Sequence, residues 1–261
     1  YQTTGRYRAP QRRRYGWLGT AAVTGYLGLI IGTAFALPTS LLINWSLSPE
    51  AQATLDSRFF GFVWNSGILA ACAATGGVLI GLPLAYLASR RPTVLNLGCL
   101  QAAYAGYVLP GPVAALAVLV LFAKLAPVFY GSVLILIVAY VIHFLPAGLQ
   151  SLEPALQHMS PNLEEVARTL GLGMRDTWRR VTLPLIRNGF VVAWVLIFLQ
   201  TMKELPATLL LRPVGFDTLA IRVWMEASEE YYQLAAPSAL LIVLLSLPAL
   251  ALLVSKDWRA A

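Results

Sequence analysis

Apolar runs long enough to cross a bilayer recur along the whole chain, and this recurrence removes most folds from consideration. A spanning helix needs about 20 residues to traverse about 30 Å of hydrocarbon. Six stretches meet that length or come near it: 17–45, 62–89, 97–125, 131–149, 188–211 and 235–254. Hydrocarbon offers no hydrogen bonds, so each backbone N–H and C=O must find its partner inside the chain. The expected fold is therefore all-α, a polytopic membrane bundle of six transmembrane helices. Composition agrees, with 58% of the 261 residues hydrophobic and 12% charged, about half the charged share of a soluble domain. A cleaved secretory leader cannot account for runs that continue to the far end of the chain.

Several runs contain proline, at Pro38, Pro83, the Pro110-Gly111-Pro112 triplet, Pro146, Pro206 and Pro248. In a bundle, neighbouring helices and local adjustments satisfy the freed backbone groups, so most of these are expected to be packing kinks and some to mark broken helices along a pathway. Cys72 and Cys99 each lie inside an apolar run without metal-ligand spacing and are expected to be unpaired, buried and small.

Basic residues set the orientation. Arg6, Arg8, Arg12, Arg13 and Arg14 precede the first run, Arg90 and Arg91 follow the second, Arg168, Arg175, Arg179, Arg180 and Arg187 lie between the fourth and fifth, and Lys256 and Arg259 follow the sixth. The alternate segments hold Arg58, Lys124, Lys203, Arg212 and Arg222. The positive-inside rule then places both termini in the cytoplasm. The basic excess suits anionic lipid and needs no nucleic acid. Trp17, Trp45, Trp64 and Trp258 fall near run ends, as an interfacial aromatic belt requires.

The most charged internal stretch, residues 160–185, falls on the cytoplasmic side in this topology. Ser160 and Pro161 form a helix start, with Glu164 and Glu165 in or beside the positive first turn. Leu163, Val166, Ala167 and Leu170 recur as one apolar stripe. Gly171 and Gly173 supply a turn. A second short helix is expected to carry Met174, Trp178 and Val181 on one side, an Asp176–Arg180 pair, and a stop near Pro184. Amphipathicity leaves two readings open: an element resting on its own membrane or bundle, or a docking knob for a soluble partner.

Spacing bears on that choice. Glu165, Ala167, Gly171, Val181, Leu183 and Pro184 follow the order E-x-A, three residues, G, nine residues, I or V, x, L-P. This resembles the "EAA" loop of ATP-binding-cassette importer permeases, with Val166 in place of the second alanine. The resemblance implies the type I importer permease fold and makes 160–185 a coupling hairpin seated in an ATPase subunit. Gly171 would make the sharp turn, Ala167 would allow close approach, Glu165 would supply an anionic contact or cap, and Val166, Leu170, Leu183 and Pro184 would complete the docking element. The chain has no G-x-x-x-x-G-K-[ST] phosphate loop. ATP and Mg are accordingly expected in a separate ATPase dimer, with no cofactor and no enzymatic activity in this chain.

The stretch MKELPATLLLRPVGFDTLAIRVWMEASEEYY, residues 202–232, resembles the ferric iron permeases of the same superfamily. Those are commonly two fused six-span halves, and this chain, which begins at Tyr1, resembles the second. The resemblance implies a basic cytoplasmic linker at 1–16, a permease domain at 17–255, a cytoplasmic tail at 256–261, a periplasmic ferric-iron-binding protein as partner, and residence in a bacterial inner membrane.

Local chemistry adds candidates. Counting from residue 188, Glu204 is expected about 25 Å along the fifth span, in the outer leaflet or interface. An acidic group there is a functional candidate, with a structural ion pair to Arg212, Arg222 or another span as the bland reading. Lys203, Pro206 and Arg212 complete the candidate pathway or outer gate. Glu226, Glu229, Glu230 and Tyr231 are candidate contacts for the binding protein, and together with Tyr232 offer the oxygen donors a hard cation prefers. His143, placed in the inner half of the fourth span, reads as a hydrogen-bonded bundle histidine, and His158 as solvated. The alternatives are a permease of this class for thiamine, polyamine or an oxyanion, or a gradient-driven transporter half with Glu204 as its ion site.

Overall fold

Each apolar run becomes helical, though not always as one helix. The computed structural model describes residues 16–257, so most of the expected linker, and Trp258 and Arg259 of the tail, lie outside the described residues. In chain order the helices are α1 (Trp17–Ser46), α2 (Pro49–Ala53), α3 (Ser57–Arg90), α4 (Val94–Val108), α5 (Gly111–Leu125), α6 (Val133–His158), α7 (Asn162–Thr169), α8 (Met174–Met202), α9 (Pro206–Leu211), α10 (Leu219–Ser228) and α11 (Tyr232–Asp257). No strand occurs among the described residues. Side-chain oxygens start several helices: Ser48 accepts from the Ala51 N–H, Asp56 from Phe59, Thr93 from Asn96 and Thr218 from Ile221.

Five helices, α1, α3, α6, α8 and α11, are long and apolar enough to cross a membrane, and the pair α4 and α5 makes a sixth if taken together. That pair is bent by 118°, so the third expected span, 97–125, is broken at its Pro110-Gly111-Pro112 triplet. The cause is local. Pro110 pushes Leu109 out of the helical region, to ψ 130°, and Pro110 and Pro112 supply no N–H to continue the ladder.

Two other prolines are absorbed instead. A wider, π-type turn at Gly32–Ala36 precedes Pro38 within α1, and another at Trp178–Thr182 precedes Pro184 within α8. Widening the turn removes the bond and the carbonyl clash that proline would otherwise break. The expected stop at Pro184 is therefore absent: the second arm of the hairpin and the following span are one helix.

The core lies where α3, α6 and α8 pack against one another, with α4 against α6 and α5 against α9. Close approach through small residues replaces the hydrophobic drive that lipid cannot supply. A Cβ on Gly106 of α4 would lie 2.3 Å from the Ile142 carbonyl oxygen, and one on Gly189 of α8 would lie 2.4 Å from the Ala155 Cβ. Leu136, Leu149, Leu152, Ile186 and Ile197 fill the space between.

The first helix is different. No residue of α1 is buried, and only its later part, Leu37–Ser46, packs on α11. Cys72 and Cys99 are free but exposed, not buried as expected. In a bundle of few helices an apolar position faces outward about as readily as inward, because lipid accepts it.

Candidate functional site

The hairpin is built around a carboxylate that the apolar pattern passed over. Glu164 is 8% exposed. Its Oε2 accepts from the Tyr86 hydroxyl at 3.1 Å and its Oε1 from the Thr182 hydroxyl at 2.9 Å. The Arg90 Nε lies 3.6 Å away, and Arg90 also donates to the Met159 carbonyl at 3.1 Å. One side chain thus ties α7 to the end of α3 and to the wide turn of α8. Ala167, one turn on, is also buried. No periodicity in α7 points to Glu164, since its partners come from residues far away in the chain.

With that face inward, Leu163, Val166 and Leu170 point out, Leu170 being 79% exposed, and Met174 continues the rim. The expected stripe thus divides: Ala167 packs against the bundle and the three larger residues are uncovered. Glu165 is exposed beside Arg91 and Arg168 on a cleft of about 240 Å³. Leu183 and Trp178 border an adjoining apolar hollow of about 500 Å³, and Pro184 is exposed.

The turn between the arms is closed by two hydrogen bonds, Gly171 N–H to the Arg168 carbonyl at 2.9 Å and Leu172 N–H to the Ala167 carbonyl at 3.1 Å. This Schellman arrangement requires a left-handed residue at Gly171, whose φ is +88°. The helix starts at Asn162, and the Ser160 backbone carbonyl accepts from Leu163 N–H at 3.2 Å. Asp176 and Arg180 pair at 3.8 Å as expected, but on an exposed surface where such pairs contribute little.

A second cluster forms where two broken segments meet. α8 ends at Met202, so Glu204 lies outside the helix, in the break before α9, and its Oε1 accepts from Ala207 N–H at 3.1 Å. A Cβ on Gly111, at the break before α5, would lie 3.1 Å from that oxygen, 3.7 Å from the His143 Nε2 and 3.9 Å from Pro206. Glu204 and His143 therefore flank one point. His143 is residue 11 of the 26 in α6, so Glu204 stands near the middle of that helix, on the side of its N-terminus. The His143 Nδ1 is buried without a hydrogen-bond partner, against the expectation of a hydrogen-bonded histidine. Thr208 donates to the Glu204 carbonyl at 2.6 Å and shares a hydrogen bond with the Tyr140 hydroxyl.

Neither expected arginine reaches Glu204. Arg212 pairs with Asp217, whose carbonyl accepts from Asn65 at 3.0 Å, while Leu219 N–H donates to Ser66 at 2.8 Å. Arg222 pairs with Glu226 at 2.8 Å and lies over the Phe62 ring. These bonds staple residues 212–226 to α3. Lys203 is exposed.

Beyond them, Glu229, Glu230 and Tyr231 are exposed at the turn into α11. Trp45 stacks on Tyr232 with ring centroids 5.9 Å apart, and Glu50, Glu230 and Tyr231 line the cavity of about 460 Å³ beside them. No group of three His, Cys, Asp or Glu side chains able to hold a metal occurs among the described residues.

Comparison with known proteins follows the same lines. The chain is 33% identical over 224 residues to an Fe(3+)-transport system permease protein of Haemophilus influenzae, a match covering 85% of this chain and 44% of that protein. The chain thus spans less than half of that relative. It is 27% identical over 244 residues to a putative 2-aminoethylphosphonate transport system permease protein of Salmonella paratyphi A, covering 88% and 91% of the two. It is 28% identical over 264 residues to a probable molybdenum ABC transporter permease protein of Haloferax volcanii, covering 91% and 92%. Among solved structures, the inward-facing MetNI methionine ABC transporter matches with a TM-score of 0.60 at 18% identity, over 79% of this chain and 99% of that one. Residues 77–258 match the family model for the binding-protein-dependent transport system inner membrane component. An all-helical bundle with the fold of a type I ABC importer permease, matched by that model over most of its length, belongs to the family of binding-protein-dependent inner membrane transport components.

Proposed function

We propose that this chain is one transmembrane half of an ATP-driven importer that carries ferric iron, delivered by an extracytoplasmic binding protein, into the cytoplasm by alternating access. The hairpin carries the reading. Glu164 fixes it to the bundle while Leu163, Val166, Leu170 and Met174 stay uncovered, and an apolar rim on a rigid, polar-anchored element suits a soluble partner better than a lipid surface. That partner is an ATPase dimer binding ATP and Mg, on the side that the basic residues mark as cytoplasmic. Nucleotide-driven closure would move two docked hairpins as rigid bodies and shift the bundle between its two open states.

Iron as cargo rests on the 202–232 stretch and on the named cargo of the Haemophilus influenzae relative. The other relatives named for phosphonate and molybdenum make an oxyanion the second reading. Uptake in membrane vesicles carrying the assembled transporter tests both. Ferric uptake that stops on ATP removal, survives an uncoupler and is not competed by molybdate is the expected result. Uptake abolished by the uncoupler alone would point to a gradient-driven transporter, and molybdate or phosphonate accumulation would replace iron.

A further inference from the structure

Two breaks in the helical framework meet beside α6. The Pro110-Gly111-Pro112 triplet separates α4 from α5, and residues 203–205 separate α8 from α9, which packs on both α5 and α6. The first break contributes Gly111, the second the Glu204 carboxylate, and α6 the His143 imidazole. A Cβ on Gly111 would lie 3.1 Å from the Glu204 Oε1 and 3.7 Å from the His143 Nε2, so through that point the oxygen and the nitrogen are at most about 7 Å apart. They do not pair with each other. The missing Cβ keeps the space beside both of them open.

Packing alone explains neither group. Glu204 accepts one backbone bond, from Ala207 N–H, and no Lys, Arg or His pairs with it among the described residues. A carboxylate near the middle of an apolar helix of 26 residues is costly unless a cation or water meets it. The His143 Nδ1 is enclosed and makes no hydrogen bond, so Nε2, on the Gly111 side, is the nitrogen that a ligand can reach. Tyr140 and Thr208 bond to each other and to the Glu204 backbone carbonyl, which fixes the segment carrying the carboxylate and leaves the carboxylate itself free to bind. An imidazole nitrogen beside a carboxylate, with no thiolate, suits first-row transition ions, iron included, whereas Mg2+ and Ca2+ prefer oxygen alone. Two protein ligands leave the remaining positions to water or a chelator, and an Nδ1 without an acceptor makes a weaker ligand. Both features loosen the hold, which suits an ion that has to leave again.

We propose that the His143 Nε2 and the Glu204 carboxylate, with Gly111 keeping the space beside them open, hold one first-row transition cation within the bundle, weakly and in exchange with solution, and that ferric iron occupies this site during transport. The occupant rests on the transport reading above; the donor pair rests on the geometry.

The test uses the assembled, nucleotide-free transporter in lipid nanodiscs, carrying no polyhistidine tag. It is titrated with Cu2+, whose EPR spectrum counts bound imidazole nitrogens, and with ferric nitrilotriacetate. This chain has two histidines, so His158→Ala serves as the control. The difference between wild type and His143→Ala is expected to contain one imidazole-bound copper, and the difference between wild type and His158→Ala none. Glu204→Gln, which keeps the size of the side chain and removes its charge, should weaken copper and ferric binding at least about tenfold, since loss of even an outer partner of a ligand costs that much. Excess Ca2+ should displace neither metal. Copper binding unchanged by His143→Ala or by Glu204→Gln overturns the site, and either variant decides if the other fails to assemble. A wild type that binds no copper through imidazole overturns it without any variant. Molybdate uptake in place of ferric uptake, with the expected copper difference, would remove iron as the occupant and leave the site standing. Ferric uptake by a transporter that binds both metals equally with and without His143 would remove the site and leave the cargo reading standing.

Discussion

Two helices on opposite sides of the bundle end in the same way with different residues. The turn after α7 closes at Gly171 with φ +88°, and the turn after α10 closes at Glu230 with φ +65°. In each the residue donates back across the last turn, to Arg168 in the first and Ala227 in the second, and the next N–H reaches a carbonyl five residues back, Ala167 and Glu226. The backbone problem is identical, yet one turn uses the residue without a Cβ and the other accepts about 1 kcal/mol or more of steric cost. At the hairpin, conformation governs the choice. On the opposite side a charged side chain is held in a strained position beside Tyr231 and the Trp45–Tyr232 stack, which fits a surface where the side chain itself has a task.

The largest expected effect asks whether the hairpin is held by its turn or by its anchor. Glu164→Ala leaves Arg90 without its carboxylate, at a cost of about 3 kcal/mol. The expected result is a hairpin newly sensitive to protease and loss of uptake; a hairpin as resistant as wild type would show that the turn alone suffices. Gly171→Asp comes next. A Cβ at φ +88° costs about 1–2 kcal/mol, and the negative charge sits at the unfavourable end of α7. The chain should still insert in the membrane while uptake falls at least about tenfold, and normal uptake would count against docking. Leu170→Lys, which changes neither backbone nor anchor, should weaken ATPase association with thermal stability unchanged within about 0.5 kcal/mol. The smallest effect tests the contrast directly. Glu230→Gly should stabilise the chain by about 0.5–1 kcal/mol, read as a rise in melting temperature, while lowering transport only when the binding protein delivers the cargo. An unstable Glu230→Gly would erase the difference between the two turns.

How far the sequence reached depended on the range of the forces involved. Spans, the Gly171 turn and the apolar rim are local, and periodicity and spacing placed them. Glu164 was missed because what singles it out is Tyr86, Arg90 and Thr182, brought together only by packing. The break that separates α8 from α9 inside the expected span 188–211 is not legible in the sequence, because Lys203 and Glu204 carry no proline and Pro206 lies beyond it. Pro184 reads as a stop because proline usually is one; a single widened turn at Trp178–Thr182 overrides it. Arg212 and Arg222 follow Glu204 closely in sequence, yet they pair with Asp217 and Glu226.

That widened turn leaves α8 as a single rod of 29 residues, about 44 Å from Met174 to Met202. A push received at one tip needs no joint to be felt at the other, where the chain breaks beside Glu204 and His143. The molecule in this view works less like a relay of sliding parts than like a crowbar, with its grip at the hairpin and its blade beside the middle of α6.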